Sequence, residues 1–184
     1  AKWCIDYALE QVDKVNKEYQ SYYQRIQAKV NLSADEMASM KKVADAMYFP
    51  YSEEHQVFLQ QDGFLDKELV TVANLDKAER PINQKWSWDR ILRSPYIKQA
   101  DTLQGFYFFE DHFTKEELAK HFDFYEPFTV HESSLSPCVH SIQAAVLGRM
   151  DQAYTFYLRT SRLDLDDYNK EVHEGLHITS MAGT

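Results

Sequence analysis

Helix-start signals recur along the 184 residues at spacings that leave room for little besides helices and their connections. Ser33 stands three residues before Glu36, and Thr114 three before Glu117, the pairing in which a hydroxyl and a carboxylate satisfy the free N–H groups of a first turn. Ser136 followed by Pro137 places a hydroxyl cap ahead of a proline at the first helical position, where its missing N–H costs nothing. Asp151 gives a fourth start. The apolar residues agree with this reading. Trp3, Tyr7, Val12, Val15, Tyr19, Tyr22, Tyr23 and Ile26 recur at three and four, which predicts one long helix over 2–30. Met37, Met40, Val43, Ala44 and Met47 share a face of a second helix that Pro50 ends, and that stripe reads as core. Behind Pro95 a helix carries Ile97, Leu103, Phe106, Tyr107 and Phe109, with Lys98, Gln99 and Asp101 at its start. Further helices are expected from Thr114 to about Asp123, from Ser136 to Gly148, from Asp151 to Leu163 and from Gly175 onward. A strand is expected only near 57–60, inside a long connection over 51–88. The fold class is all-α, an array of helix pairs.

The net charge of −9 is offset by no basic cluster, which excludes a nucleic-acid partner and an anionic membrane surface. No apolar run is long enough to span a bilayer. Cys4 and Cys138 show neither CxxC nor Cys/His ligand spacing, so a reducing interior is expected and no metal is assigned. The loop from Asp164 fails as a calcium loop, because Asn169 stands where the turn glycine belongs and Gly175 where the bidentate glutamate belongs. Aromatic residues make up 14% of the chain, enough either for a helical core or for a pocket that stacks sugar rings; for Trp86 and Trp88 the core is the safer reading.

Three polar loops stand ahead of helix starts: around Lys98, over His131, Glu132, Ser133 and Ser134, and around Gly175 to His177. A helix start presents unpaired N–H groups and the positive end of the helix dipole, which suits an anion such as phosphate. A hydroxyl-rich capping loop is the plainer account of the serines. Ser134, His140 and Asp164 can be forced into a hydrolytic triad, but no GxSxG elbow accompanies them. His131, His140 and His177 have no recognised metal-ligand spacing.

The stretches RPINQKWSWDRILRSPYIKQADTLQGFYFF, HFDFYEPFTVHESSLSPCVHSI, RTSRLDLDDYN and EGLHITSMAGT resemble, in order, the glycoside phosphorylases of family 65. The resemblance runs over the whole chain, and QQDGFLDKE with the DYNKEVHEGLHITSM ending is closest to the maltose-acting branch. It implies an (α/α)6 barrel, of which residues 1–184 are roughly half, a single segment of the catalytic domain cut at both ends. Apolar side chains such as Trp3, Ile178 and Met181 are then expected to lie exposed. The implied reaction is inverting phosphorolysis of maltose to β-glucose 1-phosphate and glucose, with inorganic phosphate as a substrate and no cofactor. The related trehalose- and kojibiose-acting enzymes are the alternative within the family, and a non-catalytic helical sugar- or partner-binding domain is the alternative outside it.

Carried over by position, the resemblance implies that Lys98 and Gln99 hold the non-reducing glucose. His131, Ser133, Ser134 and His177 match the region that receives phosphate. The family's general acid is a glutamate in a GP(N/D)EY-type motif, which is absent from the 184 residues, so no catalytic residue is assigned within them and the glutamate is expected upstream of Ala1. The full-length protein is expected to be a cytoplasmic homodimer.

Overall fold

The computed structural model describes residues 1–168 and 170–183. The chain forms two compact units, Ala1–Phe49 and Pro50–Thr184. In the first, the predicted long helix is two, α1 over Lys2–Glu18 and α2 over Gln20–Val30, because Tyr19 leaves the helical conformation at φ −137° and ψ 54°. The three-four apolar period runs through the break, so periodicity alone did not reveal it. Asn31, in the left-handed region at φ 54°, caps α2, as a short amide side chain there readily does. Ser33 then caps α3, Ala34–Asp45, by accepting the Glu36 N–H at 3.1 Å. Helices α1 and α3 pack together, joined by Lys2, whose Nζ donates to Asp6 at 2.9 Å and to the Ala44 carbonyl at 3.2 Å. Ala44 is the only buried residue of this unit, so the methionine stripe is not a closed core. Trp3 and Tyr7 stack at 4.9 Å on an exposed face, as expected.

The second unit opens with a hairpin, β1 (Tyr51–Ser52) and β2 (Val57–Phe58), in the register Tyr51↔Phe58 and Ser52↔Val57. Short 3-10 turns follow at Phe64–Asp66, Val72–Asn74 and Lys77–Glu79, then α4 over Ile82–Lys85 and α5 over Trp88–Arg93. The helix expected from Pro95 begins later and is shorter: α6 spans Asp101–Phe108. Ahead of it Ile97 is paired in parallel to Thr129, and the chain bends at Lys98 and Gln99. Helix α7, Lys115–Tyr125, starts with the full Thr114/Glu117 capping box and runs past Asp123 into a 3-10 turn at Glu126–Phe128. Helices α8 (Ser136–Val146) and α9 (Met150–Ser161) fold back on each other around Gly148, whose φ of 81° is strained for any residue with a Cβ. Asp151 lies in the first turn of α9 and is not its cap, which is Arg149. The last helix, α10, is a single turn, Ile178–Met181; Ile178 is exposed and Met181 half-buried.

The main core gathers Phe64, Ile97, Leu103, Phe122, Tyr125, Phe128, Ala144, Ala153 and Phe156. A smaller one under the 51–88 connection holds Ile82, Tyr96 and Val130, with Trp86 packed against it under the Arg90 guanidinium at 3.6 Å. Trp88, by contrast, is 71% exposed. Two side chains one turn apart on α7 fix the hairpin. His121 accepts the Phe58 N–H at Nε2 (2.7 Å) while its Nδ1 bonds the Glu117 carbonyl (2.7 Å). The Tyr125 hydroxyl donates to the Phe58 carbonyl (2.7 Å) and accepts from the Gln60 N–H (2.9 Å). Burial pushes that hydroxyl's pKa up to about 12. Tyr125→Phe keeps the ring but strands both groups, so urea denaturation of the protein is expected to show a loss of about 1–3 kcal/mol, with faster amide exchange at Gln60. An unchanged midpoint would show that the hairpin does not depend on this hydroxyl.

Candidate functional site

Two of the three polar loops are joined by main chain. The Ile97 N–H donates to the Phe128 carbonyl and the Val130 N–H to the Ile97 carbonyl, both at 2.9 Å. This bridge sets Lys98 and Gln99 beside the loop that follows Val130. Gln99 is reached directly, since its Oε1 accepts from the Ser133 hydroxyl at 3.2 Å. Lys98 and Gln99 are exposed, in the loop ahead of α6 and not in its first turn. They line an open cleft of about 450 Å³ with Gln60, Gln61, Lys67 and Asp101, so residues of the 51–88 connection form part of its wall.

The third loop is joined through hydroxyls. Ser180 on α10 donates to the Ser134 hydroxyl at 3.3 Å, and the Cys138 thiol on α8 donates to the Gly183 carbonyl at 2.6 Å. His177 immediately precedes α10. Its ring Nδ1 meets Asp164 Oδ1 at 2.8 Å, and its backbone N–H donates to Asp164 Oδ2. The sequence places Asp164 in a rejected calcium loop; the structure makes it the carboxylate behind His177.

Beneath the serines lies a buried polar group. His131 sits in the left-handed region at φ 52°, a strained conformation for a residue of this kind. Three contacts hold it there. Its Nδ1 is 2.7 Å from the Ser136 hydroxyl, its Nε2 is 3.2 Å from Glu126, and its carbonyl accepts from Arg159. Glu126 also accepts from His140 Nδ1. Ser136 therefore does not cap α8. Its hydroxyl is buried and turned to His131, and Leu135 takes the cap position without a side-chain bond. The His131 ring likewise faces inward, so of the four residues matched to phosphate it is Ser133, Ser134 and His177 whose side chains stand outside the core.

An ionised Glu126 accepting from both rings assigns N–H to His131 Nε2 and His140 Nδ1, leaving His131 Nδ1 to accept from Ser136; these tautomers follow from the partners. Burial pushes the Glu126 carboxyl up, but the hydrogen bonds from His131 and His140 prevail and hold it below the usual carboxylate range. Burial holds the His131 imidazole below its usual range against the pull of Glu126. Ligand atoms of Glu126, His131 and His140 lie within 4.8 Å of one another. As arranged they satisfy each other, and only the buried His140 Nε2 lacks a partner, so the cluster is a hydrogen-bonded group with no open set of metal donors. Glu132 anchors the loop a second time, accepting from Arg80 Nε at 3.0 Å and from the Ile82 N–H at 2.8 Å. Glu126 was legible in one respect that spacing rules do not weigh: a carboxylate among Tyr125, Phe128 and Val130 must find buried donors.

The second unit is a largely helical body in which the loop carrying Ser133 meets Gln99 at the edge of an open cleft. The chain belongs to the family described as the glycosyl hydrolase family 65 central catalytic domain, which matches residues 1–184. It is 50% identical to a maltose phosphorylase of Bacillus subtilis (strain 168) over 184 residues, all of this chain and 23% of that protein. An alpha,alpha-trehalose phosphorylase of Thermoanaerobacter brockii is 43% identical, over 100% of this chain and 24% of that protein. A solved structure of a protein described as a kojibiose phosphorylase from human microbiome superposes with a TM-score of 0.87 at 37% identity, covering 99% of this chain and 25% of that one. The chain thus spans about a quarter of the length of these relatives. The fold is all-α and corresponds to roughly half of an (α/α)6 barrel.

His121 and His131 are both held below the ordinary imidazole value of 6.5, chiefly by burial. Each binds a proton more weakly folded than unfolded, so the stability it contributes is present above about pH 6.5 and is lost as pH falls through the folded values. Glu126 adds to the loss at lower pH, in the same direction. The thermal midpoint of the protein is expected to be level from about pH 7 to 8 and to fall below about pH 6.5. His131→Gln, which cannot titrate, is expected to flatten part of that slope, and an identical slope in the variant would remove His131 from the account.

Proposed function

We propose that these residues are a segment of an inverting phosphorylase that converts maltose and phosphate to β-glucose 1-phosphate and glucose. Family membership along the entire chain supports the reaction class, and the identity to a maltose phosphorylase supports the substrate. The single observation that carries the site is the contact between Ser133 and Gln99, which sets the serine loop beside the proposed glucose-holding pair.

In this reading Lys98 and Gln99 grip the hydroxyls of the non-reducing glucose. Ser133, Ser134 and His177 hold phosphate beneath the anomeric carbon, where an oxygen of the anion attacks as the glycosidic bond breaks on the opposite face. Inversion follows from that single displacement. Phosphate is itself the nucleophile, so no carboxylate is needed to activate water; the protein orients the anion and excludes competing water. His131 contributes through its carbonyl and buried ring, by fixing the loop. The departing oxygen takes its proton from the family's glutamate, in a motif absent from residues 1–184, and we assign that group to a segment outside them. The full-length enzyme is taken to be a cytoplasmic homodimer with no cofactor.

Steady-state kinetics of the full-length enzyme test the assignment. Ser134→Ala is expected to raise the phosphate KM, or lower the maximal rate, by about tenfold or more with the maltose KM nearly unchanged, since a hydrogen bond to a charged group contributes about 1.5–3 kcal/mol. Lys98→Ala is expected to weaken maltose first. If Ser134→Ala alters only thermal stability, by about 1 kcal/mol as for a lost cap, the loop is structural and the assignment falls. Maltose, trehalose and kojibiose assayed side by side decide the substrate. The 184-residue chain alone is expected to form no glucose 1-phosphate; measurable product would place the general acid inside it.

A further inference from the structure

Two guanidiniums hold successive carbonyls of one loop. Arg80 donates to the Val130 carbonyl and Arg159 to the His131 carbonyl, which brings two cations side by side. The carboxylate nearest them is already engaged: Glu132, whose side chain is 8% exposed, accepts from Arg80 Nε and from the Ile82 N–H. A guanidinium carries five N–H donors. Among the described residues Arg159 uses one of them, on the His131 carbonyl. Burial, and after it the neighbouring Arg80 charge, hold Arg159 below the usual guanidinium range, as befits a cation short of counter-charge.

Both guanidiniums line an open cavity of about 470 Å³, and Lys77 and Lys170 line it with them. The carboxylates on its wall are Glu132 and Glu171, so four cationic side chains meet two anionic ones in a chain whose net charge is −9. Neither lysine ammonium makes a hydrogen bond or ion pair among the described residues. Like charges gathered in one concavity repel, and an anion placed among them reverses the sign of that interaction. None of Ser133, Ser134 and His177 lines this cavity.

We propose that the cavity binds a phosphorylated sugar, its phosphate held by Arg159, Lys77 and Lys170 and its hydroxyls by the amides of Asn83 and Gln84. A phosphate dianion presents three oxygens, enough to accept from a planar guanidinium fork and from two ammonium groups at once, which a carboxylate is not. The phosphate group fills only a small part of the space, so the other walls must suit the rest of the ligand. They are polar: Asn83 and Gln84 both donate and accept, as sugar hydroxyls do, and Tyr168 adds a ring face. Tyr168 is also the only exposed ring among the described residues of the wall, where a purine would need a planar slot with two apolar sides.

The test is calorimetric titration of the full-length enzyme with glucose 6-phosphate, in wild type, in the double variant Lys77→Ala/Lys170→Ala and in Ser134→Ala. Both lysines are exposed, so their removal leaves the packing intact. Wild type is expected to bind saturably and more weakly as sodium chloride is added. The double lysine variant is expected to bind about tenfold more weakly or worse, having lost two donors to a charged acceptor. Its phosphate and maltose KM values are expected to stay within about twofold of wild type. Ser134→Ala is expected to bind glucose 6-phosphate as wild type does. Absence of binding, or equal affinity in wild type and the double lysine variant, overturns the proposal. Loss of binding in Ser134→Ala but not in the lysine variant also overturns it: the ligand then sits where substrate phosphate is held, and the proposed function stands. Inorganic phosphate and AMP, titrated in parallel, are expected to bind more weakly than glucose 6-phosphate; either one binding as tightly shows that the cavity does not select a sugar, and the proposal falls.

Discussion

A carboxylate taken out of water must be given donors in return, and Glu126 receives them from His131 and His140. Burial holds the His131 imidazole below its usual range, which disfavours a second charge in the core. The bond to His131 also bears on the backbone. With Ser136 on the other ring nitrogen and Arg159 on the carbonyl, it keeps His131 in a left-handed turn. That turn is where the chain changes from the strand-like run through Thr129 to the start of α8, and Ser133 and Ser134 are carried on the outside of it.

The same device appears twice more around the loops. Glu132 accepts from one backbone N–H, that of Ile82, and from the basic side chain of Arg80. Asp164 accepts from the backbone N–H of His177 and from its ring. In each case a mostly buried carboxylate fixes a main-chain position and a side chain together, so two degrees of freedom are lost to one group.

The helices were readable because their signals are local. The capping box at Thr114, the Ser33 cap and the turn at Gly148 depend on residues within a few positions of one another. Errors arose where a distant partner overrides the local rule. Ser136 has the form of an N-cap, but a buried imidazole competes for its hydroxyl. Lys98 and Gln99 follow a proline in what reads as a first turn, but Ile97 is paired with Thr129, and the chain bends through 98 and 99 before α6 begins at Asp101. The break at Tyr19 carries no glycine or proline. The proposed site residues come from likeness to a family; the groups that brace them, Glu126, Glu132 and Arg159, have no spacing signature because their partners lie 14, 52 and 28 residues away.

Strand β2 is two residues long, and its outer side is closed by side chains instead of by another strand. His121 occupies the Phe58 N–H and Tyr125 the Phe58 carbonyl and the Gln60 N–H. An unpaired strand edge is a template on which a second polypeptide can extend the sheet. Here the template is already filled from within the same molecule, by two residues one helical turn apart. A fold with almost no sheet thus protects the edge of the little it has, and the guard is a helix that presents an imidazole and a phenol in place of a neighbouring backbone.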